Sequence, residues 1–308
     1  CQMIQKNIVS LLIYILNILM RIGQKMKELT IEELKEVELN ILKDVAKFCE
    51  INKIQYFLCG GTLLGAIRHK GFIPWDDDID IAMPRADYER FFKLYNGNNS
   101  RYKADSLENN NNWHMSFGRV GDINTVLYEH TLKNKYKKYH AFIDIFPVDG
   151  LPNNTIKKKL LLLTQKFLGI IGNSSAFSYT PSKHFSDSKE NNIELKNKIR
   201  TYVKYILITL CKGLNTQKIF SLVNSISKRY KIDTSDIIGL TVYVWNWKFE
   251  ILNKSSIHSY VELPFEDTYF LGPKGYAEYL ENTFGDYMIP PPEERRVSHH
   301  NFNVYWKE

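Results

Sequence analysis

A disulfide scaffold is the first thing this 308-residue sequence lacks: Cys1, Cys49, Cys59 and Cys211 form no CxxC pair and show no zinc-type spacing. That usage suits a reducing compartment better than a disulfide framework. Ten prolines and 16 glycines, beside 44% hydrophobic and 13% aromatic residues, exclude collagen-like, low-complexity and disordered chains. There is no internal repeat. The apolar run Ile8–Met20 has only 13 residues, broken by Ser10 and Asn17, and is too short to span a bilayer comfortably. Its flanking cations Lys6, Arg21, Lys25 and Lys27 fit a helix lying at a membrane surface, or a signal-like segment without an evident cleavage site. Regular helical patterning begins just after Met26, so residues 1–25 read as an extension outside the catalytic unit.

Acidic residues are scarce in one stretch only. Residues 1–152 carry 20 Lys/Arg against 19 Asp/Glu, 153–231 carry 15 against 3, and 232–308 carry 6 against 12. The net charge of +7 therefore comes from a middle section of +12 flanked by segments that sum to −5. No recognised nucleic-acid-binding module accompanies this charge, so nucleic acid is not the expected partner. Lys157–Lys159 followed by LLLLTQKFLGII reads instead as a basic amphipathic element able to rest on an anionic membrane.

What is present is a readable series of elements. Thr30 and Glu33 form a T-x-x-E capping box ahead of Leu34, Val37, Ile41, Val45 and Phe48 at helical spacing. Ile54–Cys59 reads as a short strand ending at Gly60-Gly61, with a helix from Thr62 to Arg68. Asp78–Met83 alternates as a half-buried strand does, Pro84 ends it, and Arg85–Tyr95 returns to helical spacing. His140–Val148 is a further strand, 153–231 is mostly helical, a strand or hairpin falls near Val261–Leu271, and Tyr276–Phe284 is a short helix. This order gives an α/β (α+β) fold.

The chemistry concentrates in WDDDIDI. Asp76, Asp77, Asp78 and Asp80 are four carboxylates in five positions, which repel one another unless something neutralises them. On a strand Asp76, Asp78 and Asp80 would share one face. Because apolar residues alternate with them, unpaired charge there is costly and a bound cation is the natural compensation. A row of hard oxygen donors suits Mg²⁺ or Mn²⁺. Upstream, Gly60 and Gly61 let backbone N–H groups approach a phosphate at the start of a helix, with Thr62 opening that helix and Arg68 placed to pair with phosphate. Asp144, set between apolar neighbours in a later strand, supplies a further carboxylate.

Three blocks, GGTLLGAIRHKGFIPWDDDIDIAMPRADYE from Gly60, FIDIFPVDGLP from Phe142 and FGDYMIPPPEERRVSHH from Phe284, resemble the LicD family. That resemblance implies a nucleotidyltransferase-superfamily core sheet with flanking helices. It also implies transfer of a phospho-alcohol, typically phosphocholine, from a CDP-activated donor to a cell-surface glycan such as lipopolysaccharide or teichoic acid, or to a lipid-linked precursor. Fukutin-type ribitol-phosphate transferases are distant relatives. Carried onto this sequence, the family pattern makes Gly60 and Gly61 the glycine pair, Asp78 and Asp80 the metal-binding D-x-D, Asp76 the preceding acid and Asp144 the third carboxylate, a metal ligand or the general base. The tail match adds His300 to the donor-binding set of Gly60, Gly61, Thr62 and Arg68; Arg119, Arg295, Arg296 and His299 are further candidates. Choline would call for an aromatic cage, for which Trp113, Trp245 and Trp247 are available.

The expected organisation is an extension over 1–25, a catalytic core over 26–152, a basic helical region over 153–231 and a C-terminal region over 232–308 that completes the active site. The expected location is cytoplasmic, peripheral at the inner face of the cell membrane. Two other activities fit the same residues: nucleotidyl transfer with release of pyrophosphate, and a non-catalytic glycan-binding protein at the membrane surface.

Overall fold

In the computed structural model, which describes residues 26–97, 101–178, 191–245, 248–296 and 302–307, the capping box behaves as its spacing predicts. The Glu33 N–H donates to the Thr30 hydroxyl and the Glu33 carboxylate accepts from the Thr30 N–H, and helix α1 runs Ile31–Asn52. One face buries Leu34, Val37, Ile41, Leu42 and Val45 against the sheet. That face also carries one acid, Glu38, which is 2% exposed.

Strand β1 is only Phe57–Leu58. After it, helix α2 (Gly60–Arg68), strand β2 (Asp80–Pro84) and helix α3 (Arg85–Leu94) follow within a few residues of the expected bounds. The acidic strand begins two residues later than DIDIAM predicts, so Asp76–Asp78 lie in the connection that leads into it. Strands β3 (Tyr102–Asp105), β4 (Gly118–Glu129) and β5 (Lys138–Gly150) complete the central layer.

The main sheet has eight strands, with the path β1-β2-β5-β4-β10, the last being Phe302–Trp306. Strand β2 is parallel to β5, while β1–β2, β4–β5 and β4–β10 are antiparallel. The fold is therefore mixed α/β. The parallel register sets Asp80 opposite Asp144, and the antiparallel register on the other side sets Arg119 opposite the same Asp144. Strand β5 is buried over most of its length, which fits a central strand covered on both faces.

Helices α4 (Thr155–Ala176), α5 (Asn191–Cys211) and α6 (Thr216–Ser227) form the basic middle section. They reach the core through strand β6 (Ile237–Trp245), which pairs with the end of β5 and with β7 (Lys248–Asn253). A buried ion pair strengthens that junction: Arg85 grips Asp149 at 2.8 and 2.5 Å and donates to Asn224 of α6 at 2.8 Å. The hairpin β8 (Tyr260–Phe265) and β9 (Thr268–Pro273), then helix α7 (Tyr276–Phe284), lie where periodicity puts them. Strand β10 (Phe302–Trp306) returns to pair with β4. Among the described residues no helix is long and apolar enough to cross a membrane.

Candidate active site

The site is built where β1 turns into α2. Gly60 has φ of +54°, a conformation that a side chain strains, and a Cβ on it would sit 3.1 Å from Asp80 Oδ2. A Cβ on Gly61 would lie 2.7 Å from Asp76 Oδ2, closer than real contacts allow. The two glycines thus clear space for two carboxylates against the first turn of a helix, whose partial positive charge favours them. The Gly60 N–H, expected to face a phosphate, is donated instead to the Tyr279 hydroxyl at 2.9 Å; that hydroxyl in turn donates to Glu250. Thr62 accepts the Asp80 N–H on its hydroxyl at 2.8 Å, which ties α2 to the start of β2.

Electrostatics show which acids converge. Burial holds the Asp80 carboxyl well above the usual carboxylate range, and the charges of Asp78, Asp144, Glu250 and Asp76 push it further the same way. Glu38 is raised too, by burial first and then by Asp78, Asp77, Asp144 and Asp76, and its Oε2 has no hydrogen-bond partner. Burial pushes Glu250 up to about 7. Asp76, Asp78, Asp80 and Asp144 therefore form one electrostatic unit, with Glu38 beneath it and Glu250 beside it.

Asp144 is paired with a guanidinium. Arg119 Nε donates to Asp144 Oδ1 at 2.6 Å, and the guanidinium lies 3.5 Å from the Phe142 ring centroid. Arg119 is thereby committed to orienting Asp144. Arg68 donates to the Tyr287 carbonyl at 2.8 Å, and its pKa is lowered by burial and by the nearby Arg296. Arg296 lies 5.4 Å over the ring of Trp75, the residue before the acids, so two guanidiniums converge beside them.

The donor set fits a hard divalent ion. Among the described residues no three acidic, histidine or cysteine side chains are drawn into a finished cage, but Mg²⁺ at phosphates commonly takes only one or two carboxylates and keeps waters and substrate oxygens. The mutual repulsion that raises Asp80 is what a cation between Asp78 and Asp80 would remove. His299, His300, Trp247 and residues 1–25 lie outside the described residues. Trp113 is not a cage residue: it is 6% exposed and its indole N–H donates to the Phe117 carbonyl at 2.7 Å, because its ring fills core space.

Sequence reasoning missed Glu38, Glu250 and Tyr279. A signal existed for two of them: Glu38 occupies an inward position of the α1 pattern, and Glu250 is a single acid within the apolar run KFEILN, as Asp144 is within its own strand. Nothing local in the sequence links Tyr279 to Gly60, 219 positions earlier.

An α/β domain that gathers four carboxylates at a helix start, with paired guanidiniums beside them, has the equipment of a phosphotransferase. The comparisons give it a family. Residues 53–168 match the family described as LicD/FKTN/FKRP, nucleotidyltransferase domain. The chain is 34% identical over 283 residues to the lipopolysaccharide cholinephosphotransferase LicD of Haemophilus influenzae, covering 91% of this chain and 99% of that protein. It is 41% identical over 49 residues to the ribitol 5-phosphate transferase FKRP of Homo sapiens, which is 15% of this chain and 10% of that one. The chain belongs to the LicD family.

Proposed function

We propose that the protein transfers phosphocholine from CDP-choline, or a related phospho-alcohol from its CDP derivative, to a hydroxyl of a surface glycan or its lipid-linked precursor, with lipopolysaccharide as the first acceptor class to test. The observation that carries this reading is the convergence of Asp76, Asp78, Asp80 and Asp144 at the start of α2, in a chain that aligns over 91% of its length with a cholinephosphotransferase. The core is read as a nucleotidyltransferase-type sheet, with the region after residue 232 completing the site through Glu250 and Tyr279.

Asp78 and Asp80 would hold Mg²⁺ (or Mn²⁺), with Asp76 in support. When bound, such an ion neutralises the diphosphate and the negative charge that builds on departing CMP. The chain's own residues do the rest. Arg68 and Arg296 bind donor phosphate oxygens, which relieves their mutual repulsion. Asp144, oriented by Arg119, completes the metal set or takes the proton of the acceptor hydroxyl as its oxygen bonds to the phosphorus that bears the alcohol and the bond to CMP breaks. A positioned base contributes about 10²–10⁴-fold. Gly60 and Gly61 keep the acids and the donor close to the helix start.

Product analysis tests the reading. Incubation with CDP-choline, Mg²⁺ and a glycan acceptor should release CMP and leave choline phosphate on the glycan. Release of pyrophosphate from a nucleoside triphosphate, with no CMP, would favour nucleotidyl transfer, the reading to which the name of the matched domain points.

A further inference from the structure

Helix α4 carries leucines on its covered side and a second apolar stripe that nothing covers among the described residues. Its inward face mixes apolar and polar contacts: Leu161 is buried and Leu168 packs on the core, Gln165 is 1% exposed and donates to the Val223 carbonyl at 3.0 Å and to the Ser227 hydroxyl at 2.6 Å, and Ser175 donates to Thr216 at 2.8 Å. These bonds to α6 fix the helix's rotation. Its outward face is apolar: Ile156, Leu160, Leu163 and Phe167 are between 55% and 79% exposed. Those positions are spaced by four, three and four residues, one stripe at about 100° per residue. On the same wheel Lys159 and Lys166 flank one side of the stripe and Lys157 the other. The 22 residues of α4 include no acid.

Helix α5 repeats the theme. Tyr202, Val203, Ile206 and Leu210 are between 51% and 74% exposed, and YVKYILITL carries the single charge Lys204. Exposed helices this apolar mark an interaction surface. The charge of the region selects the occupant. With 15 cations against 3 acids over 153–231, a second copy of this face would be repelled. Residues 1–25, whose charged side chains are Lys6, Arg21 and Lys25, would be repelled as well.

We propose that α4 and α5 form a docking face for an anionic phospholipid bilayer: the stripe of Ile156, Leu160, Leu163 and Phe167 enters the headgroup boundary and the flanking lysines meet lipid phosphates. The protein rests on this surface rather than crossing it, consistent with the absence of a spanning helix among the described residues. The inference concerns a face outside the acidic cluster and stands whether or not the proposed transfer is correct.

Full-length protein is sedimented with vesicles of phosphatidylcholine containing 30% phosphatidylglycerol and, separately, with pure phosphatidylcholine. Wild type should partition at least tenfold more strongly onto the anionic vesicles. Replacing both Leu163 and Phe167 by Ser should lower that partition about a hundredfold. Changing Lys157 and Lys159 to Gln should lower it about 30-fold, at about fivefold per lysine, and should erase the preference for anionic lipid. Both variants alter exposed side chains and should keep the wild-type circular dichroism and CMP release on a soluble acceptor. If the serine variant misfolds, the glutamine variant carries the test. Equal sedimentation of wild type with both vesicles overturns the inference. So does binding that neither variant weakens, or a dimer in light scattering that Phe167→Ser dissociates.

Discussion

Two regions of this molecule concentrate charge, and they do so in opposite ways. Around β2 and β5 the charge is negative and enclosed: carboxylates face one another inside the fold until burial and repulsion lift Asp80 and Glu38 out of their ordinary range. Across α4 and α5 the charge is positive and spread over solvent, interleaved with uncovered apolar side chains. Enclosed charge needs a small partner that can enter, an ion or a diphosphate. Exposed charge beside apolar surface needs an extended partner. The contrast separates chemistry from delivery.

The sharpest way to break that contrast is to remove an enclosed charge. Asp80→Asn should cut CMP release at least about 10³-fold, the scale of losing a charge-stabilising group, while the thermal midpoint in metal-free buffer holds or rises, because a repelled buried carboxylate has gone. A midpoint that falls by several degrees would make Asp80 a structural residue. In the wild type Mg²⁺ should raise the midpoint, and in Asp80→Asn that rise should shrink; differential scanning fluorimetry reads both.

Next in size is the pairing of Asp144 with Arg119. Arg119→Ala strands the Asp144 charge in a largely buried position, which costs about 3–5 kcal/mol, measurable by urea unfolding. Activity should fall as well, since the orientation of Asp144 is lost.

Glu250 sharpens the comparison through pH. Its folded pKa, about 7, lies above the ordinary 4.5, so the folded state holds a proton that the unfolded chain releases across that window. Stability from this group is fully present below about pH 4.5, declines as pH rises toward 7, and is flat above it. Glu250→Gln should flatten that slope by about 1–3 kcal/mol, measured as unfolding free energy at pH 5 and pH 8. The smallest expected effect tests the seam between the regions: Asn224→Ala removes the acceptor of Arg85 and the donor to Glu108 and should cost about 1–2 kcal/mol with little change in turnover.

What the sequence made legible follows the range of each interaction. Helix α1 announced itself because Thr30, Glu33 and the apolar positions lie within one or two turns. The same holds for α7, and for the β8–β9 hairpin with its two-residue connection. The acids of WDDDIDI were legible because four like charges in five positions demand an explanation. Strand β4 was not, since Gly118, Gly121, Asp122 and Asn124 interrupt its pattern and its register shifts between Asp122 and Leu127. Strand β10 gains its identity only from pairing with β4. The Arg119–Asp144 pair arises from strand register, and the Tyr279–Gly60 bond from the packing of α7 on α2; neither has a local signature. The outward stripe of α4 was half legible: its lysines and leucines were plain, but only Gln165 bonded to α6 reveals which side faces away.

Strand β10 carries one more consequence. Phe302 pairs with Glu129, 173 positions earlier, so the free edge of β4 emerges from the ribosome long before the segment that covers it. At about 5–20 residues per second that edge stands open for roughly 10–30 s, time in which an unpaired strand can recruit a neighbouring nascent chain. Production of this protein should therefore respond more to translation speed and to holding chaperones than to anything done to its active site.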